Sequence, residues 1–147
     1  MIFGPVPVAQ AEGAILAHSL IVDGVRLRKG QVLSKSQISV MLNANIDEVI
    51  VAILDDNDIG EDQAAETLAH ALVSDQASAA LRFSVPFTGR VNIYAETGGV
   101  VQIDVSAINR FNAVSPDITV STVQNMKRVS AHSLIATVKI IPYAVPK

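Results

Sequence analysis

Residues 47–72 read DEVIVAILDDNDIGEDQAAETLAHAL, and the spacing of apolar side chains changes inside that stretch. Residues 47–54 form a continuous apolar run behind two acids. The run is short and rich in β-branched side chains, so it predicts a buried strand. Beyond it, Ala64, Ala65, Leu68, Ala69 and Leu72 recur at helical spacing and predict a helix over 61–73. Asp58 and Glu61 stand at capping-box spacing, and Glu61 and Asp62 fall in the first turn, where the helix dipole favours acids. A strand running directly into an amphipathic helix makes a mixed α+β fold the first expectation.

Reading outward, Pro7 suits the start of a helical turn over 7–11. Residues 14–22 and 25–27 predict strands joined at Asp23-Gly24, a hairpin turn signal. Ser34 is placed to cap a helix over 35–44 whose apolar stripe is Ile38, Met41 and Leu42. On the other side, 74–80 is small and polar and predicts a loop. Strands are then expected at 81–85, 91–95, 100–103, 118–123 and 133–141, with a short helix at 105–111. No linker separates the α+β front (1–75) from the mostly-β back (81–147), so 1–147 reads as a single domain with two sub-parts.

Half of the residues are apolar and 17% are charged, against roughly 25% charged in an average domain. That balance predicts a surface covered by a second copy or a neighbouring domain. Net charge is −3, and only Arg26, Arg28 and Lys29 cluster among the cations. With no Trp and two Tyr, the chain lacks the basic footprint and stacking aromatics of a nucleic-acid binder. The absence of cysteine excludes disulfides, thiolate metal sites and cysteine nucleophiles and fits a cytoplasmic protein. The opening residues lack the pattern of a signal peptide, and every apolar run is too short for a membrane span.

Motifs for chemistry are few. Asp55, Asn57, Gly60 and Glu66 approximate a calcium loop, but Ile59 offers no oxygen where a ligand is needed and a strand precedes the loop. His70 and Glu66 have i,i+4 spacing, which reads as a surface pair, and His18 and His132 lack companions, so no metal site is expected. There is no nucleophile elbow and no phosphate-cradling glycine loop. The motifs point away from catalysis by this chain on its own. What remains is PFTGRVNIYA, residues 86–95. Thr88-Gly89-Arg90 is either an ordinary turn with a surface arginine or an anion site, with glycine allowing amides to converge and arginine offering a fork to phosphate. Asn92 falls on the same strand face as Arg90. Lys139 is the lone charge in the apolar strand 133–141, placed either at an edge or toward a ligand.

The order of AEGAILAHSL, LRKGQVLSKSQISVML, EVIVAIL, GEDQAAETLA, PFTGRVNIYAE and ATVKIIPYAV resembles the N-terminal region of bacterial molybdopterin-binding proteins. These are related to the molybdopterin molybdotransferases and are sometimes fused to a cytidylyltransferase-like domain. The resemblance spans nearly the whole chain. It implies a mixed α+β, partly barrel-like domain, followed in relatives by a separate α/β domain that binds molybdopterin; this chain is then expected to be an N-terminal portion. The implied role is accessory, in molybdenum cofactor biosynthesis. Molybdopterin is the implied ligand, bound non-covalently, and the α/β domain or a second copy is the implied partner. Thr88, Gly89 and Arg90 are implied to hold the terminal phosphate, with Asn92 and Lys139 adding hydrogen bonds and charge. Two departures stand out. The transferases' Ser-Ala-Met-Asp-Gly-Tyr type segment has no counterpart, and His132-Ser133 occupies a turn where the resemblance implies glycine.

Overall fold

The structure is a computed structural model that describes residues 1–147. Two compact units emerge, Met1–Asp58 with Pro146–Lys147, and Ile59–Val145.

The first unit begins with β1 (Ile2–Pro7) and a 3-10 turn (Val8–Gln10) that starts directly after Pro7. It continues through β2 (Ile15–Leu16), β3 (Leu20–Val22), β4 (Val25–Leu27), α1 (Lys35–Asn43) and β5 (Glu48–Ile53). β5 is central in a three-stranded antiparallel sheet, order β1-β5-β2. β3 and β4 form the hairpin at Asp23-Gly24, both residues having positive φ. Ser34 caps α1 through a reciprocal capping box with Gln37. The core gathers Val8, Leu16, Leu27, Leu33, Met41 and Val51. The strand expected over 14–22 is broken in two, because its halves pair with different partners, β2 with β5 and β3 with β4. β1 carries Pro5 and Pro7 along the edge of its sheet, and residues without an N–H make poor templates for a further strand.

The second unit contains β6 (Asp58–Gly60, shared at its first residue), α2 (Glu61–Leu72), β7 (Leu81–Phe83), β8 (Arg90–Ala95), β9 (Gly99–Val100), α3 (Val105–Asn112), β10 (Ile118–Thr122), β11 (Arg128–Val129), β12 (Leu134–Ile140) and β13 (Ala144–Pro146, shared at its last residue). β7, β8, β12 and β10 make an open antiparallel sheet, order β10-β12-β8-β7. Ala64, Ala65 and Ala69 of α2 pack on Val91, Ile93, Val138 and Ile140, with Ile108 and Phe111 of α3 alongside. Small alanines let the helix approach the sheet closely. Both helices thus cover one face. The outer edge of β10 is occupied by Asn112, whose amide accepts from Val120 N–H at 2.7 Å and donates to the Val120 carbonyl at 2.9 Å.

The fold is mixed α+β, with three helices and thirteen strands in several antiparallel sheets. The expected barrel character is absent: no sheet closes, and the largest ends at β7 and β10. The division of the chain falls at Asp58/Ile59 rather than near 75–81, because α2 packs its alanine face on the later sheet. No helix is long and apolar enough to cross a membrane.

Asp58 does not cap α2. The cap position is Gly60, with no side-chain bond. The Asp58 carboxylate instead lies 2.7 Å from the Met1 ammonium and accepts from Asp55 N–H at 3.0 Å. These bonds, the ammonium's first, hold its carboxyl below the usual aspartate value.

The turn before β12 places His132 at φ +66°, with its N–H bonded to the Ala95 carbonyl at 2.8 Å. Left-handed backbone is the physical reason for a glycine there. His132→Gly is expected to stabilise the chain by about 1 kcal/mol and to raise the thermal midpoint by a few degrees; a lower midpoint would contradict this.

Candidate anion-binding face

β8 alternates strictly. Val91, Ile93 and Ala95 are buried under the helices, while Arg90, Asn92 and Tyr94 take the opposite side. In β12, Val138 and Ile140 are buried and Thr137 and Lys139 are half-buried on that same opposite side. Register sets Lys139 across from Arg90 and Thr137 across from Asn92. On β10, Thr119 faces Lys139 and Ser121 faces Thr137. Three of the five residues singled out from sequence, Arg90, Asn92 and Lys139, therefore share one polar face without a helix of this unit on it.

Arg90 and Lys139 are like charges directly opposed on neighbouring strands, an arrangement that destabilises a sheet by a few tenths of a kcal/mol or more. No ion pair reaches either side chain. Arg90 Nη1 donates to the Thr88 hydroxyl at 3.0 Å and to the Thr88 carbonyl at 3.2 Å, which leaves the rest of the guanidinium free. Asn92 is fixed more firmly. Its Oδ1 accepts from the Thr137 hydroxyl at 2.8 Å and its Nδ2 donates to Tyr94 Oη at 3.2 Å.

The turn is a separate matter. Phe87 and Arg90 exchange both backbone hydrogen bonds, at 3.0 and 3.2 Å, around Thr88 (φ +48°) and Gly89 (φ +68°). This is a two-residue hairpin of the primed kind. Gly89 N–H donates to Asp62 Oδ1 at 2.7 Å, and the Gly89 carbonyl accepts from Ile140 N–H at 2.7 Å. The amide expected to meet a ligand anion thus holds an internal carboxylate from the first turn of α2. Gly89 locks helix to sheet, and the charge and donors left for a ligand are those of Arg90, Lys139 and their hydroxyl neighbours.

Thr88 is β-branched at positive φ, a costly position for such a side chain. Its hydroxyl is one of two Thr88 acceptors for the Arg90 guanidinium, and that gives the threonine a use. Thr88→Gly is expected to relieve about 1 kcal/mol of strain while loosening Arg90. Denaturant melts should show equal or higher stability, and titration should show anion binding weakened about threefold (~0.6 kcal/mol). Lower stability together with unchanged binding would contradict the assignment.

Arg82, Tyr94, Thr119 and Thr137 were not among the residues singled out from sequence. The alternation of RVNIYA already puts Tyr94 beside Arg90 and Asn92; the others depend on register. No group of three His, Asp or Glu side chains gathers as a metal site. On the helix side of the sheet lies a cleft of about 530 Å³, lined mainly by Leu72, Ile93, Ile103, Ile108, Val120 and Ile135. Its carboxylate, Asp104, is engaged in capping α3, so the cleft offers shape and apolar contact rather than charge.

A family model described as a domain of unknown function (DUF8806) matches residues 5–53. The match lies within the first unit and includes none of Arg90, Asn92 or Lys139. No curated protein and no solved structure matches the chain.

Proposed function

We propose that the chain is a non-catalytic binding domain for molybdopterin, a phosphorylated pterin dithiolene, and serves molybdenum cofactor biosynthesis by positioning that ligand beside a separate α/β molybdopterin-binding domain. The likeness of its motifs to bacterial molybdopterin-binding proteins supports the ligand. The observation that carries the binding role is the unpaired couple of Arg90 and Lys139 across β8 and β12. A phosphate dianion would relieve their repulsion, taking a forked contact from Arg90 and a point charge from Lys139. The Thr119 hydroxyl stands across from Lys139 as a further donor to the phosphate, whereas the Thr137 hydroxyl proton is taken by Asn92. The face holds cations, hydroxyls and an amide but no nucleophile paired with a base, so it positions a ligand rather than transforms it.

The test is anaerobic calorimetric titration with molybdopterin. Lys139→Thr is expected to weaken binding about tenfold (~1.4 kcal/mol) and to stabilise the unliganded chain by about 0.5 kcal/mol through lost repulsion. Binding that ignores the substitution would overturn the proposal.

A second reading is an interface module for another copy of the chain. It rests on Val85 and Phe87, 84% and 74% exposed, two residues apart in the extended lead into the turn. Sedimentation across a concentration series tests it: a dimer that Phe87→Ser dissociates supports it, and a monomer at all concentrations excludes it.

A further inference from the structure

We infer that the same sheet face carries a second subsite, a stacking platform of Arg82 and Tyr94, and that the two subsites together select a planar heterocycle bearing a terminal phosphate. The inference rests on the anion reading of Arg90 and Lys139 given above.

Arg82 stands opposite Tyr94 in the β7–β8 register. Its guanidinium carbon lies 4.5 Å from the centre of the Tyr94 ring, and its Nε lies 3.3 Å from Glu96 Oε1. Tyr94 and Glu96 thus hold the guanidinium from below and from the side. With 45% of the Arg82 side chain exposed, its other face is free, and a flat guanidinium stacks well on aromatic rings. Tyr94 Oη accepts from Asn92, so its own proton is available to an acceptor on the ligand.

The two ends of the face differ in charge. Glu96 neutralises Arg82, whereas Arg90 and Lys139 have no carboxylate. A ligand aligned with this face puts its anionic group over Arg90 and Lys139 and a neutral ring over Arg82 and Tyr94. Four residues along β8 separate the ends, about 13 Å. Between them lies the hydrogen-bonding row of Asn92 and Thr137. Inorganic phosphate fills one end only. A fused ring joined by a short linker to a phosphate fills both.

Flavin mononucleotide is a convenient probe, because stacking quenches its fluorescence; riboflavin and inorganic phosphate represent its two halves. The expected result is flavin mononucleotide binding about tenfold or more tighter than either half, a gain typical of one stacked ring. Arg82→Gln, at an exposed position that leaves the core untouched, and Tyr94→Leu should each shrink that advantage toward one, and Arg90→Ala should weaken both phosphate-bearing probes. Equal affinity for flavin mononucleotide and phosphate, unaltered by Arg82→Gln, overturns the platform and leaves the anion reading standing. Failure of both phosphate-bearing probes to bind overturns the anion reading and the platform with it. Riboflavin binding as tightly as its phosphate ester overturns the two-part site.

Discussion

Gly89→Ala is expected to cost the chain about 3 kcal/mol or more of its stability. A Cβ at this position would lie 2.8 Å from the Ile140 carbonyl oxygen and 2.8 Å from Glu61 Oε2, at φ +68°. The carboxylate can swing away, but the carbonyl belongs to β12, a central strand of the sheet, and cannot yield without dragging its ladder. Backbone strain alone contributes about 1 kcal/mol. Displacing the turn also loosens two hydrogen bonds at 2.7 Å, Gly89 N–H to Asp62 and Ile140 N–H to Gly89. One of these involves a charged acceptor and is worth more than a neutral bond. The total is a large share of the roughly 5–15 kcal/mol that holds a domain together. Equilibrium denaturation should show the midpoint falling sharply with little change in slope. A loss below about 1 kcal/mol would mean that the turn moves freely and that its lock on α2 is unimportant.

Arg90→Ala is expected to leave the fold intact and to reduce molybdopterin affinity about thirtyfold. The side chain is exposed, and its hydrogen bonds within the protein go to Thr88 alone, so the unliganded domain loses little. A charge-assisted, forked contact to phosphate is worth about 2 kcal/mol, which is the thirtyfold change. Arg90→Lys should recover only part of it, because an ammonium restores the charge without the fork. Raising salt should weaken wild-type binding more than that of the alanine variant, since the exposed cation is screened. Equal affinities for wild type and Arg90→Ala, measured at the same salt, would contradict the proposed function.

Local chemistry made most of the fold legible. Ser34 and the stripe of Ile38 and Met41 gave α1, the alanine face gave α2, and Asp23-Gly24 gave the β3–β4 hairpin. Misreadings occurred where a tertiary partner decided the outcome. Asp58 had the spacing of a cap, yet its carboxylate went to the Met1 ammonium and the Asp55 amide. β1 went unread because GPVP carries two prolines, which an edge strand tolerates and an interior strand does not. β11 is two residues long, too short for a period to register, and the strand expected over 100–103 is reduced to β9, Gly99–Val100. The candidate site divides in the same way. Alternation along β8 placed Arg90 and Asn92 together, but Lys139 joins them only through the β8–β12 register. Asp62, which takes the Gly89 amide, looked from sequence like an ordinary first-turn acid. Its partner is 27 residues away, and no local pattern names it.

The most direct test of the central claim is an amide chemical-shift titration of the isotopically labelled chain with molybdopterin under anaerobic conditions. Shifts are expected to concentrate at Arg90, Asn92, Thr119, Thr137 and Lys139, with Arg90→Ala reducing them at matched ligand concentration. Shifts confined to the apolar cleft around Ile103 and Ile108, or none at saturating ligand, would contradict that claim.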